Sequence, residues 1–399
     1  MNTELHAVRI PAALRGFGGK AGADAVFNLQ WHGEHITAIT PCPAGTPAQG
    51  LLLSPLVDLH LHLDKTYTVQ DTGAANGDLF RAIDMIAAHR AGWTRESLRP
   101  RMQRALQEAW DHGVRAVRTH IDWMTPDRPP AVDVIAELRQ AWRERLQIQW
   151  VSLTAVDQFD DTEWAHWLAR AVKAGGGVLG CFIYRHPGLP RRLRTVFDLA
   201  EAYDLELDFH VDEGLHVDAT GLRSIAEMTL QRRWQGRVTC GHACSLSVQT
   251  ADDAQQTLAL VAQAGITLTA LPTTNLYLQG SWSETPVPRG ITRLSEARTA
   301  GVRTCLASDN VADPFFPYGC YDPLEAWALG VQAAHLAPAE DWLDSVTVAP
   351  AQTMGLAWDG RFNKGCPADF IVLDAHDGLQ AMAPAGRRRR ICRQGQWIT

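Results

Sequence analysis

Five apolar runs of this chain end on residues that hold metals or move protons. The first, LVDLHLHLDKTY from Leu56 to Tyr67, carries His60 and His62 two apart. Side chains two apart in a strand share a face, so the pair can grip one ion from one side. A second run closes on His120 and Asp122. A fifth closes on His210 with Glu213 three residues on, a sixth on His242 and an eighth on Asp309. One buried histidine is ordinarily a satisfied core residue. Five strand ends that each carry a histidine or an acid point together to a metal-dependent hydrolase. Three imidazoles and a carboxylate suit a single zinc or ferrous ion and leave a place for water. Such an ion lowers the pKa of that water so that hydroxide exists near neutrality. Asp309 can serve as ligand and take the water's proton. Glu213, at a loop edge, can pass protons to a ring nitrogen and a leaving amine. His242 can hold the hydroxide or stabilise developing charge.

These residues need a scaffold that brings strand ends together. Eight strand candidates follow one another: PLVDLHLH, VRAVRTHID, LQIQWVSLTA, GVLGCFIY, LELDFHVDE, GRVTCGHA, ITLTALP and GVRTCLASDN. Helical patterns such as GDLFRAIDMIAAHRAGW and DDAQQTLALVAQAG separate most of them. Eight βα units predict an α/β fold, a (β/α)₈ TIM barrel over 55–355, with its site at the carboxyl ends of the strands. Residues 1–54 and 356–399 read as strands and turns, including a hairpin with its turn at HGE (32–34), and together predict a small β-sandwich domain. The basic run GRRRRI (386–391) is expected to be a solvated turn between two late strands.

Composition narrows the function classes. The 399 residues hold 37 Lys+Arg against 44 Asp+Glu, a net charge of −7, which argues against nucleic acid or an anionic membrane as partner. No apolar stretch approaches the roughly 18 residues that span a bilayer, and MNTELHAVRIP lacks a signal-peptide core. The eight scattered cysteines read as reduced core residues, and the expected location is cytoplasmic. Competing motifs fail. CGHAC (240–244) lacks the second cysteine pair of a separate zinc site. The His-x-Glu of HGE lacks the Pro-Cys-x-x-Cys partner of the small nucleobase deaminases. AGGGV (174–178) lacks the Lys-Ser/Thr of a phosphate loop and precedes a strand, so it reads as a helix stop.

Taken together, HLHLDKTY, RTHID, HVDEGLH, GHACSL, NLYLQG…PRGITR and ASDNVADPFFPYG resemble the cytosine deaminase-like branch of the amidohydrolase superfamily, over roughly 50–325. GCPADFIVLDA resembles the segment by which these hydrolases return to their small domain. The resemblance implies a site with one divalent ion, Fe²⁺ or Zn²⁺, because GCFIYRH offers no lysine of the kind two-metal members carry after the fourth strand. It implies His60, His62, His210 and Asp309 as ligands, Glu213 as proton shuttle and His242 as partner of the hydroxide. It places Gln279 near the substrate mouth. The branch carries a substrate-binding glutamine after the third strand. Here that position is Ala155, with Gln158 close by as a substitute. The acid after the ligand aspartate is Asn310, and a loop tryptophan is Phe315. An amide for an acid swaps an acceptor for a group that donates and accepts, and hydrogen-bonded pockets discriminate strongly on such changes.

The implied activity is hydrolytic deamination of cytosine or a related amino-substituted heterocycle, hydroxide attacking the amine-bearing ring carbon and ammonia leaving. A sister branch that removes an alkylamine from a triazine shares HxHxDK, with Lys65, but has His-x-His-Asp where this chain has HVDE; Glu213 favours the deaminase side. The alternative is a cyclic amide or N-alkylamine hydrolase. A barrel that has lost catalysis and only binds a partner is a third reading, against which the intact ligand set speaks. The expected partner is a small heterocyclic molecule, with self-assembly into a homo-oligomer left open. His120 and Asp122 either line the pocket or buttress the ligands. Trp123 stacks on a ring or packs. Lys65 is a surface charge or pairs with a carboxylate at the mouth. His186 and His216 read as solvated loop histidines.

Overall fold

The computed structural model describes residues 2–17, 22 and 24–398. It divides into two compact units, Met1–Val57 with Gly113–Arg115 and His335–Thr399, and Asp58–His112 with Ala116–Ala334. The first opens with β1 (Asn2–Arg9), β2 (Val26–His32), β3 (His35–Pro41) and β4 (Gly50–Leu53). β2 alternates buried and exposed side chains, the mark of a strand with one face on a core. It turns through the expected hairpin at Gly33–Glu34 into β3.

The barrel strands are β5 (Leu56–Leu61), β6 (Val114–Asp122), β7 (Gln147–Ala155), β8 (Val178–Ile183), β9 (Leu207–Val211), β10 (Val238–His242), β11 (Thr267–Ala270) and β12 (Arg303–Leu306). They neighbour one another in sequence order in one sheet. A parallel bridge between Leu61 and Asp309, with the Asp309 N–H donating to His60 O at 2.9 Å, brings the chain beyond β12 back to β5. The Ser308 N–H donates to the Asp58 carboxylate at 3.2 Å beside it. Helices lie between successive strands. Asp78, Thr94, Asp161, Thr250 and Asp322 cap five of them, each accepting a backbone N–H of the first turn. Strands covered on both sides need apolar residues on both faces, which is why they read as continuous runs.

β13 (Phe370–Leu373), β14 (Arg389–Arg393) and β15 (Gln396–Trp397) complete the other unit, whose mixed sheet runs β15-β14-β13-β4-β1-β2-β3. Trp31 packs edge-on against Phe370 and Trp397 in its core. The basic run differs from expectation. Only its start is a turn; Arg389 and Arg390 belong to β14, and Arg390 lies over the Trp397 ring at 4.7 Å. A cation over an aromatic face can lie flat on a strand, so four arginines do not force a loop.

Candidate active site

β6 places Arg118, His120 and Asp122 on one face, at three heights inside the barrel. Arg118 Nη1 donates to Asp208 Oδ2 of β9 at 3.1 Å, and β6 and β9 are not neighbours, so the contact crosses the interior. His120 Nε2 lies 3.3 Å from Asp208 Oδ1, and its ring lies 4.0 Å from that of His60. A buried charge pair thus forms the floor beneath the first histidine of the cluster.

Above it four ligand atoms converge. His60 Nε2 and His210 Nε2 are 3.1 Å apart, and His210 Nε2 and His62 Nε2 are 3.3 Å apart. Asp309 Oδ1 lies 3.1 Å from His62 Nε2 and 3.5 Å from His60 Nε2. No aligned hydrogen bond reaches either Asp309 oxygen among the described residues, although the side chain is wholly buried. His60, His62 and His210 group with His120 within ligand reach of one another, and His60 groups likewise with His242 and Asp309, so a buried ion could draw its ligands from this cluster. Tetrahedral ligands about 2.0–2.1 Å from an ion stand about 3.3 Å apart, so the spacing fits one divalent ion. The donors, three imidazoles and one carboxylate, suit zinc or ferrous iron. Closeness is enforced at Gly241: a Cβ there would sit 2.8 Å from the His60 ring. His242 and Asp309 hold left-handed backbone, φ 70° and 60°, uncommon for residues other than glycine and frequent at sites that must aim a side chain.

Glu213 and His242 stand beside the cluster, His242 Nδ1 3.5 Å from Glu213 Oε1. The Asn275 amide nitrogen lies 3.0 Å from the same Nδ1 and donates to it. That puts the ring proton on Nε2, a buried atom with no protein partner among the described residues. Burial, then the charge of Asp309, pushes the Glu213 carboxyl up to about 8, against the pull of Lys65. Burial takes His242 down to about 3 and holds His62 and His210 well below the usual imidazole range, so these rings are neutral. Burial alone would raise Asp309, but hydrogen-bonding contact with His60 and His62 carries it well below the carboxylate range.

The cluster opens into a cavity of about 270 Å³. Leu153, Ala155, Phe182, Met124 and Phe315 give it an apolar wall, with Glu213, His242 and Asn310 at its reactive end. The helix Leu79–Arg90 supplies the other wall through Leu79, Ile83, Ile86 and Arg90, spaced by four, three and four residues along one helical face. Lys65 is buried and donates to Asp122 Oδ1 at 2.9 Å; Arg90 donates to Asp122 Oδ2 at 2.6 Å. Lys65 Nζ also lies 5.0 Å from the Phe315 ring centre.

The structure therefore brings His60, His62, His210, Asp309, Glu213, His242, Asn310 and Phe315 to one place. Two residues expected at the substrate stand elsewhere. Gln158 does not line this cavity; its amide donates to Met124 O at 2.9 Å from a 3₁₀ turn. Gln279 lines a neighbouring, more open cavity, and its amide donates to Glu213 O. Trp123 packs edge-on against Trp167. His186 lines the inner cavity and accepts from the Tyr184 N–H at 3.1 Å; His216 meets the Tyr184 hydroxyl at 2.7 Å. Sequence reading missed Arg90, Asp208 and Asp313. The four-three-four pattern of helix 79–90 was visible, but a helical stripe looks the same whether it faces a core or a cavity.

A barrel whose strand ends gather three histidines and an aspartate able to hold a divalent ion defines a class of hydrolases. This chain belongs to the amidohydrolase family, whose model matches residues 74–394. It is 35% identical over 368 residues, 89% of this chain and 84% of the relative, to a pterin deaminase of Rhizobium rhizogenes (strain K84). It is 24% identical over 394 residues, 94% of each chain, to an N-isopropylammelide isopropyl amidohydrolase of Pseudomonas sp. (strain ADP). The solved structure of 5-methylcytosine deaminase from Klebsiella pneumoniae with 5-fluorocytosine matches with a TM-score of 0.86 at 26% identity, covering 100% of this chain and 97% of that one. The resemblance read from the motifs stands, and the protein is a hydrolytic enzyme of carbon–nitrogen bonds. Among the described residues no helix is long and apolar enough to cross a membrane.

Proposed function

We propose that this enzyme hydrolytically deaminates an amino-substituted heterocycle, replacing a ring C–NH₂ with C=O and releasing ammonia, and that it takes fused rings of the pterin kind in preference to cytosine. His60, His62, His210 and Asp309 would hold one divalent ion. Bound there, the ion supplies a water acidified toward neutrality. Burial raises the proton affinity of Glu213, which favours it as the donor of a proton to the ring nitrogen beside the reacting carbon. Left ionised by that step, it takes the hydroxyl proton of the tetrahedral adduct and hands it to the departing amine, and the proton held by Asp309 restores it for the next turnover. His242, with Nδ1 held by Asn275, offers Nε2–H to the oxygen that gains charge. Asp309 accepts the proton that the attacking water loses.

The observation that carries the reading is the Glu213 carboxyl, buried beside the cluster and 3.5 Å from His242 Nδ1, at the reactive end of a cavity with a largely apolar wall. Ala155 supports the larger substrate. It leaves open the wall where the cytosine-type glutamine would stand, and Gln158 does not return to fill it. The similarity to a pterin deaminase is in keeping with that room.

The test is ammonia release from pterins, cytosine, 5-methylcytosine, isocytosine, creatinine and aminotriazines, with protein reconstituted separately with Fe²⁺ and Zn²⁺. Ammonia from pterins above cytosine is expected. An alkylamine or an opened ring, without ammonia, would move the enzyme to the alkylamine or cyclic amide reaction.

A further inference from the structure

We propose that Asn310 presents its side-chain carbonyl oxygen to the substrate as a fixed hydrogen-bond acceptor, held that way by Asp313, so that the ring accepted here carries an N–H on the edge facing Asn310. The inference deepens the proposed function and rests on it. Asn310 follows Asp309 and lines the cavity with Glu213. An amide can meet a ligand with either end. Here a neighbour makes the choice. Asn310 Nδ2 donates to Asp313 Oδ2 at 2.6 Å. Asp313 is itself pinned, because its Oδ1 accepts the backbone N–H of Phe315 at 2.9 Å and of Phe316 at 3.1 Å.

Asp313 is wholly buried, so it has no water to turn toward. With Asp313 ionised, turning the Asn310 amide over would set two oxygens against each other at hydrogen-bond distance; burial pushes that carboxyl up to about 7, so the variants are compared at pH 8.5. The amide is therefore fixed in orientation with one of its two N–H groups spent on Asp313, which leaves the oxygen as its acceptor toward the cavity. This gives the polarity of a carboxylate without its charge. The distinction matters next to Glu213, since a second anion there would add repulsion to a carboxyl that the mechanism already uses. An N–H of the reacting amine, or of the ring nitrogen beside it, is the complementary donor. A ring with a bare lone pair on that edge would meet oxygen with nitrogen and lose its place.

Exchanging the pair tests the idea. Asp313→Asn keeps an oxygen for the Phe315 and Phe316 N–H groups and turns an NH₂ toward Asn310, which forces the amide over. Its kcat/KM on the best amino-heterocycle should fall about 10- to 100-fold. Binding of the lactam product (lumazine, if pterin is the substrate), read by calorimetry on metal-loaded protein, should weaken in step. The double variant N310D/D313N returns an acceptor to 310, facing an NH₂ donor at 313, but moves the negative charge beside Glu213, so it should recover several-fold over D313N in both values without reaching wild type. A D313N enzyme equal to wild type overturns the inference. So does a double variant no better than D313N when metal content and melting temperature match wild type. Should D313N fail to fold, Asn310→Ala, which leaves Asp313 in place, decides, and wild-type kcat/KM in N310A overturns the inference. Silence of the wild type across the panel overturns the proposed function and this inference with it. Turnover by wild type with an unrescued double variant overturns the inference alone.

Discussion

The role proposed for Glu213 concentrates the chemistry of the site in one proton. If it is the shuttle, Glu213→Gln should bind metal as wild type does and lose about 10²–10⁴ in kcat, measured with metal content by elemental analysis. Its burial has a second readout in the metal-stripped protein. The carboxyl titrates near 4.5 when exposed and about 8 here. Between those values the folded chain keeps a proton that the unfolded chain releases, so rising pH favours unfolding across that window. Glu213→Gln cannot titrate, so its melting temperature should fall less from pH 5 to pH 8 than that of stripped wild type. Equal slopes would show that the fold places no such cost on this group. Gly241→Ala should cost metal affinity about 10-fold or more by pushing on the His60 ring, read by chelator competition. The cluster residues were legible because a histidine or acid ending an apolar run is conspicuous. Asp208, Arg118 and Asp313 were not, because each acts through a contact to a residue distant in sequence or hidden within a loop.

The strands show why elements were easier to read than side-chain partners. VRAVRTHID coincides with β6, and the other seven runs overlap their strands with differences of a few residues at the ends. Runs buried on both faces announce themselves by composition. The helix Leu79–Arg90 was visible as a helix, yet its place in the cavity wall depends on how the loop after β5 returns, which no periodicity states. This wall invites a test at its cap. The Asp78 side chain accepts the Arg81 N–H at 3.0 Å, and caps of this kind contribute about 1 kcal/mol. Asp78→Ala should raise KM several-fold with little change in metal content, and should speed amide exchange in 79–90. Unchanged KM and exchange would mean that packing of Leu79 and Ile86 alone holds the wall.

At the scale of the molecule, the barrel strands pair in sequence order from β5 to β12, but the last step of the circle is made differently. There, among the described residues, a single bridge, Leu61 to Asp309, and the Asp58 contact to Ser308 do what ladders of hydrogen bonds do elsewhere. His60 and His62 stand on one side of that joint and Asp309 on the other. An ion held by them as proposed would be a clasp on a hoop at its least-riveted point. Stripping the metal should loosen Asp309 and Leu61 first, seen as faster amide exchange there while β7 to β10 stay protected. Loss of protection spread evenly around the barrel would contradict this. If the hoop does spring at its clasp, metal supply governs more than turnover. It sets how long each copy of the enzyme survives proteases, and a cell short of the ion would lose the protein along with the activity.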